Sequence, residues 1–265
     1  MDMPDIPKEL ECLEKERGVR ILLAVENGAR NWGLDSPISD YDVRFVFVHP
    51  IRRYLKIEKP PKVINFKVDE MLLDIQGFDI YRFVDLLAKS NANIIEWLMS
   101  SIVYKETPSE FIDMTRDFVV DSFNPMAIYY HYHAMGYNNF EKFIVKGKKV
   151  TPKAYLYAFR GLFNALYILE NKDFPPVDFK EAIDGTDLVP EEIVEIILET
   201  VIPAKVDGRN AELVKRITPL DVYLEKEFRS RKELQKEARK VMKRKVPLPF
   251  NIDDLIYDEL IKMMW

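Results

Sequence analysis

Cysteine is almost missing from this chain. Cys12 is the single one in 265 residues, so no internal disulfide framework can form, no disulfide partner is expected, and a reducing cytoplasm is the expected setting. Cys12 itself reads as a small apolar side chain of the first helix. Histidine is nearly as scarce. His131 and His133 stand two apart in Tyr129-Tyr130-His131-Tyr132-His133, a spacing that puts their rings on different faces of a helix, and no third ligand follows at a zinc spacing. Aromatic helix packing with one hydrogen-bonded His accounts for them. No apolar run is long enough to span a bilayer, and no basic-then-apolar N-terminal segment marks secretion. A Walker-type loop, Gly-x-Ser-x-Gly and Cys-x-x-Cys are all lacking. The net charge of -5 argues against a surface that is basic throughout, as nucleic-acid binding by charge alone would need, but it leaves room for a local basic face.

Half the chain, 48%, is hydrophobic and 31% is charged, enough for a full core under a well-solvated surface. The length fits one large or two modest domains. Residues 7–17 read as a short amphipathic helix. Val19 to Val25 is an apolar run of strand length, and Val43 to Val48 is aromatic and β-branched, as strands prefer. Ile51 to Leu55 reads as a helical turn, Val63 to Val68 as an alternating strand, and Met71 to Ile75 as a further strand. Asp79 precedes a helix whose apolar positions Ile80, Phe83, Val84 and Leu87 share one face, and Asn93 to Met99 is another short helix. From about Phe111 the strand signals stop. Helices are expected over 110–121, 124–147, 151–171, 190–202, 207–217, 219–244 and 252–264, with Pro175-Pro176, Pro190, Pro203, Pro219 and Pro247 as breakers. The expected class is α+β: a small mixed-sheet domain over residues 1–105 and a mostly helical part over 106–265, the latter the candidate for substrate or acceptor binding.

The most informative stretch is Val25-Glu26-Asn27-Gly28-Ala29-Arg30-Asn31-Trp32-Gly33, followed by Ser39-Asp40-Tyr41-Asp42-Val43-Arg44-Phe45. It reads as a strand, a glycine-bearing turn, a polar connection and a second strand that starts on two acids. Only nine glycines occur in the chain, so Gly28 and Gly33 after a strand suggest a special backbone need. Strand side chains alternate, which puts Asp40 and Asp42 on one face. Two carboxylates there repel unless a cation lies between them. Mg²⁺ suits the position, since it takes oxygen ligands and is usually held by one or two carboxylates plus substrate phosphates. The glycine turn lets backbone N–H groups approach a phosphate. Together these parts describe a site for a metal-bound NTP. A third acid on a neighbouring strand would complete a two-metal site, which clamps the attacking and leaving oxygens of an in-line displacement. Asp74 is the better candidate, with a second role of drawing a proton from the acceptor hydroxyl. Asp79 is its rival, although its place before a helix suits an N-cap. Solvent-facing acids at a strand start are the plain alternative.

The same residues resemble the DNA polymerase beta-like nucleotidyltransferase superfamily, and within it the RlaP-type predicted nucleotidyltransferases associated with RNA repair. Members typically have Glu-Ser-Gly-Ser-Arg-Ala-Trp-Gly where this chain has Glu26 to Gly33, then the same Ser-Asp-Tyr-Asp-Val-Arg-Phe as Ser39 to Phe45. The likeness runs on through Asp74-Ile75-Gln76-Gly77-Phe78-Asp79, Lys89-Ser90-Asn91 and Glu96-Trp97-Leu98. Weaker echoes lie at Lys153 to Arg160 and at Pro175-Pro176-Val177-Asp178-Phe179. The resemblance implies a polymerase beta-like palm and an RNA end as acceptor. Ala29 departs from the family serine, whose hydroxyl helps hold the triphosphate; its loss removes about one hydrogen bond, worth roughly 0.5–1.5 kcal/mol, and implies weakened or altered nucleotide binding.

Other residues have two readings each. Arg30 can pair with phosphate, and Arg44 can balance the acids. Trp32 and Tyr41 read as packing. Lys89 and Asn91 can reach the triphosphate or base, or can belong to a helix C-cap. Lys146-Gly147-Lys148-Lys149 with Lys153, Tyr155 and Arg160 can bind nucleotide phosphates or RNA, or be a solvated edge. The runs 229–232 and 239–245 suit a solvated helix face better than a nucleic-acid contact. The leading expectation is an enzyme of the nucleotidyltransferase class (EC 2.7.7 type). It would move an NMP from an NTP to a hydroxyl, with an RNA, tRNA-like, end as acceptor, two Mg²⁺ ions held by Asp40, Asp42 and Asp74, and pyrophosphate released. Transfer to a protein or small-molecule hydroxyl is the second reading, and a nucleotide- or RNA-binding module with a weakened site the third. Which NTP is used, and the oligomeric state, are not encoded in any motif.

Overall fold

The apolar runs of the first hundred residues close into a five-stranded mixed sheet. The computed structural model describes residues 4–68, 72–147, 150–207, 216–241 and 244–263. Helix α1 (Ile6–Arg17) starts on the Asp5 cap and ends at Gly18 in the left-handed conformation. Strands β1 (Arg20–Glu26) and β2 (Tyr41–Val48) pair antiparallel. After α2 (Ile51–Tyr54) come β3 (Val63–Val68) and β4 (Leu73–Asp79), and the sheet order is β3-β4-β2-β1-β5, with β5 spanning Val103–Glu106. Among the described residues the one parallel pair is β2 with β4, and its register sets Asp42 opposite Asp74. β1 is buried along nearly its whole length, as a strand covered on both faces should be. Helices α3 (Ile80–Ala88), α4 (Ala92–Leu98) and α5 (Glu110–Ser122) follow the strands. Leu10, Leu13, Ile21, Phe45, Phe47 and Ile75 lie in the core between α1 and the sheet.

Cys12 lies in α1, the first helix, as expected, and is exposed. Met71, expected at the head of β4, lies outside the described residues, as do Lys148, Lys149, most of the helix expected over 207–217, and the end of the one expected to 264.

The second half is helical, as expected, with α6 (Pro125–Asn139), α7 (Pro152–Asn171), α8 (Phe179–Asp184), α9 (Glu191–Ile196), α10 (Ile202–Val206), α11 (Thr218–Ser230), α12 (Lys232–Val241) and α13 (Ile252–Ile261). Two stretches are wound wider, as π-helix: Phe140–Val145 after α6, and Ile197–Val201 between α9 and α10. Contacts divide the chain into two units. The first holds Met1–Asn31, Ser39–Phe123 and Lys245–Trp265; the second holds Trp32–Ile38 and Asn124–Arg244. A single boundary near residue 105 is therefore not where the contacts divide: α5 and α13 belong with the sheet. The second unit has its own core, with Tyr155, Phe159, Phe163, Phe179, Leu220 and Leu224 fully or almost fully buried. No helix among the described residues is long and apolar enough to cross a membrane.

Candidate active site

The two acids of the β2–β4 pair share a cation that the chain itself supplies. Arg44 Nη2 donates to Asp42 Oδ1 at 3.0 Å and to Asp74 Oδ2 at 3.0 Å. Its Nη1 donates to the carbonyls of Val43 and Asp74, each at 3.0 Å. The guanidinium is thus fixed by four hydrogen bonds between adjacent strands, where it offsets the repulsion of two facing carboxylates. This is the charge-balancing role expected of Arg44. Asp40 lies just ahead of β2 and is exposed. Among the described residues no three His, Cys, Asp or Glu side chains are gathered as a metal-holding set, so the expected trio is brought together only in its Asp42–Asp74 part. That pair does fit a hard cation in its donor chemistry: two carboxylates, on facing residues, already bound to one positive group.

Gly28 is needed here for a reason the sequence did not disclose. A Cβ at this position would sit 2.1 Å from Asp42 Oδ2, so the turn lies against the acid itself. Asn27 N donates to the Asp42 carbonyl at 2.9 Å, which ties the turn to the second strand. Ala29 and Arg30 follow, both half-buried. Arg30 donates to the Ser39 carbonyl at 2.8 Å, and its guanidinium lies 3.9 Å over the Tyr41 ring. It bridges the two ends of the 31–38 connection.

Glu26, which the sequence marks only as part of the motif, lies against both the second strand and β5. It is fully buried. Its Oε1 accepts from Asp42 N at 3.0 Å and its Oε2 from the Tyr104 hydroxyl at 2.6 Å. Burial raises its pKa above the usual carboxylate value, against the lowering effect of those two hydrogen bonds. The sequence did carry a signal: an acid sits where the apolar run Ile21–Val25 would place the next buried strand residue. Its partner Tyr104, on the short strand β5, had no such signal.

The remaining candidates are engaged locally. Asp79 caps α3, accepting from Tyr81 N at 3.1 Å, and takes the Tyr54 hydroxyl on its other oxygen. It stands at the far end of β4 from Asp74, opposite Phe47, which agrees with the N-cap reading. Lys89 pairs with Asp85. Asn91 is the N-cap of α4 and not a C-cap; the left-handed residue between α3 and α4 is Ser90.

Gly33 and Lys153 belong to the second unit. Gly33 has φ +67, and a Cβ there would meet Asp178 Oδ2 at 2.4 Å. Asp178 caps α8, and Phe179 N donates to the Trp32 carbonyl at 3.0 Å. The buried Arg160 lies 3.9 Å over the Trp32 ring. So Trp32-Gly33 and the two distant echoes of the motif form one packed cluster, and Trp32 is a packing residue. Lys153 is exposed beside the Tyr157 ring, Tyr155 is buried with its hydroxyl on Asp221, and Lys146 pairs with Glu141. The expected basic stretch is therefore divided between core and surface. His133 is buried, and burial lowers its pKa to about 4. It packs on Tyr129 and Phe228, although neither ring nitrogen has a hydrogen bond among the described residues.

Residues 3–257 match the sequence model of a family described as RlaP: RNA repair pathway DNA polymerase beta family. The "Uncharacterized protein YcgL" of Bacillus subtilis (strain 168) is 34% identical over 231 residues, 87% of each chain. A crystal structure at 1.90 Å of a nucleotidyltransferase-like protein from Exiguobacterium sibiricum 255-15 is 15% identical over 88% of this chain and 78% of that one, with a TM-score of 0.31. That likeness is too loose to bear on the site.

Proposed function

Because the chain belongs to the RlaP family of RNA-repair, DNA polymerase beta-type proteins, we propose that it is a Mg²⁺-dependent nucleotidyltransferase that moves an NMP from an NTP to the hydroxyl of an RNA end. The observation that carries this reading is the facing pair Asp42–Asp74, held beside the Gly28 turn. The acceptor oxygen attacks the α-phosphorus, the bond to the β-phosphate breaks, and pyrophosphate leaves. Mg²⁺, when bound, offsets the charge of the triphosphate and of the leaving pyrophosphate. Asp42 and Asp74 would hold it, with Asp40 contributing from just ahead of the strand.

The chain's own groups do the rest. Asp74 takes the proton of the attacking hydroxyl. Glu26 holds the Asp42 backbone in register, and Arg44 keeps the two carboxylates together until the substrate arrives. The N–H groups of Gly28 and Ala29 and the guanidinium of Arg30 receive the triphosphate.

The test is incubation with each labelled NTP, Mg²⁺ and total cellular RNA and protein, followed by location of the label. Label on RNA is expected. It should vanish with Asp42→Asn, whose circular dichroism should match the wild type. Label on protein or a small molecule would move the acceptor to another class, and NTP binding without transfer would make the chain a nucleotide-binding module.

A further inference from the structure

Several cations of the first unit are engaged in ion pairs. Arg20, Lys105, Arg116, Lys245 and Lys262 each pair with a carboxylate, and Arg44 pairs with two. The segment 51–62 concentrates cations that, among the described residues, are not. It carries Arg52, Arg53, Lys56, Lys59 and Lys62 against one acid, Glu58. All five cations are exposed. None forms an ion pair among the described residues; Lys59 donates only to the Tyr54 carbonyl, at 2.6 Å. In a chain of net charge -5, five cations against one acid within this segment is a local reversal of sign.

Two clefts flank this segment. One, of about 560 Å³, is lined by Arg53, His49, Asn65 and Pro61 on one side and by Glu16 and Arg17 at the end of α1 on the other. Arg17 is also exposed and without an ion pair among the described residues. The second, of about 340 Å³, is lined by Tyr54, Lys59, Lys62, Asp79 and Tyr81. Tyr81 is 43% exposed, and its ring meets that of Tyr54 edge-on at 5.3 Å. Unpaired cations spread along a segment, with aromatic faces beside them, suit a chain of phosphates better than a single anion.

We propose that segment 51–62, with Arg17, is a backbone-binding shoulder for the RNA acceptor, gripping phosphates without reading sequence. The inference rests on the RNA acceptor proposed above, and it concerns a surface distinct from the acids. Asp42 and His49 are separated by seven residues along and just past β2, roughly 23 Å at ~3.3 Å per residue. An enzyme that modifies an RNA end needs such a hold, because the end itself offers few phosphates. The shoulder grips the body of the RNA while the end is left free to react.

The experiment is fluorescence anisotropy of a labelled tRNA transcript and a labelled oligouridylate with the full chain, over a range of salt. Arg52→Glu/Arg53→Glu/Lys56→Glu should weaken binding at least about tenfold and flatten the salt dependence by about one unit of slope per lost phosphate contact. None of these three side chains makes a hydrogen bond among the described residues, so unfolding is not expected; a melting temperature equal to wild type checks this. A second variant, Arg17→Gln/Lys62→Gln, should lose less but in the same direction. RNA binding unchanged in both variants would overturn the proposal. So would loss of binding to phosphatidylserine-containing vesicles with RNA binding intact, since Leu55 and Ile57 are exposed on the same segment. Asp42→Asn should bind RNA like the wild type. If RNA is labelled equally by wild type and shoulder variants, the shoulder fails and the transferase reading stands. If RNA binds through the shoulder but is never labelled, the reverse holds.

Discussion

The carboxyl of Asp79 is costly to keep ionised where it is. Burial raises its pKa above the ordinary 3.8, although Tyr54, the Tyr81 amide and Lys62 all pull the other way. The folded chain therefore holds this proton at pH values where the unfolded chain has released it. The stability it contributes is complete below 3.8 and is lost as pH rises through the folded value. Asp79→Asn should flatten the fall in melting temperature as pH rises above 3.8, because asparagine also caps helices well and does not titrate. A pH–melting curve parallel to that of the wild type would contradict this. Under the function proposed above, transfer should persist in the variant, since this residue lies at the far end of β4 from Asp74. At this scale the sequence was informative: the aromatic and β-branched run Val43–Val48 and the apolar run around Asp74 put Asp42 and Asp74 on strands, and a helix start identified the cap. What it left out is partnership. Nothing in the spacing says that Arg44 bridges both acids or that Glu26 reaches Tyr104, because those contacts join residues brought together only by the sheet register.

At the scale of elements, Gly33 joins local backbone to a distant helix. Its left-handed φ and the close approach of Asp178 both exclude a side chain. Gly33→Ala should cost about 2–3 kcal/mol, from ~1–2 kcal/mol of backbone strain and roughly 1 kcal/mol for a disturbed cap on α8. Adding Asp178→Ala should cost less than the sum of the two single changes, as for residues in contact; strict additivity in thermal unfolding would show that the two do not interact. The strands and long helices were legible from periodicity. The helix expected over 124–147 instead widens at Phe140, and that expected over 190–202 widens at Ile197. The helix expected over 219–244 breaks at Arg231. Phe140, where the first widening begins, packs on Phe228, and changes of this kind leave no mark on composition. β5 is four residues long, too short for a pattern. Helix α8 went unread behind its two prolines, although Asp178 and Glu181 have the spacing of a capping box.

On the scale of the whole molecule, the sheet unit is completed by the end of the chain. Glu259 of α13 is buried and bonds Arg20 at the head of β1, Ser109 Oγ at 3.0 Å and Lys262 at 2.8 Å. Val246 N donates to the Ala88 carbonyl at 2.7 Å, and Lys245 reaches Asp85 at 2.6 Å. Glu259→Ala would leave Arg20 half-buried without its anion and should lower stability by about 3 kcal/mol. A urea midpoint near the wild type's would mean that α13 contributes little to holding the sheet. This closure could not be read from the sequence, since the last sixty residues carry no motif and the loss of strand signals near residue 105 pointed to a simple two-part chain.

That closure also fixes an order of events on the ribosome. All five strands emerge early, yet the piece that completes their unit is made only after Asn124–Arg244 has been added. At ~5–20 residues per second, the nascent sheet waits on the order of ten seconds with one flank open. A helical unit can fold meanwhile on mostly local contacts. The newborn chain is thus most vulnerable to aggregation in its sheet unit, and a synthesis arrest just before Lys245 should capture that unit in its protease-sensitive form.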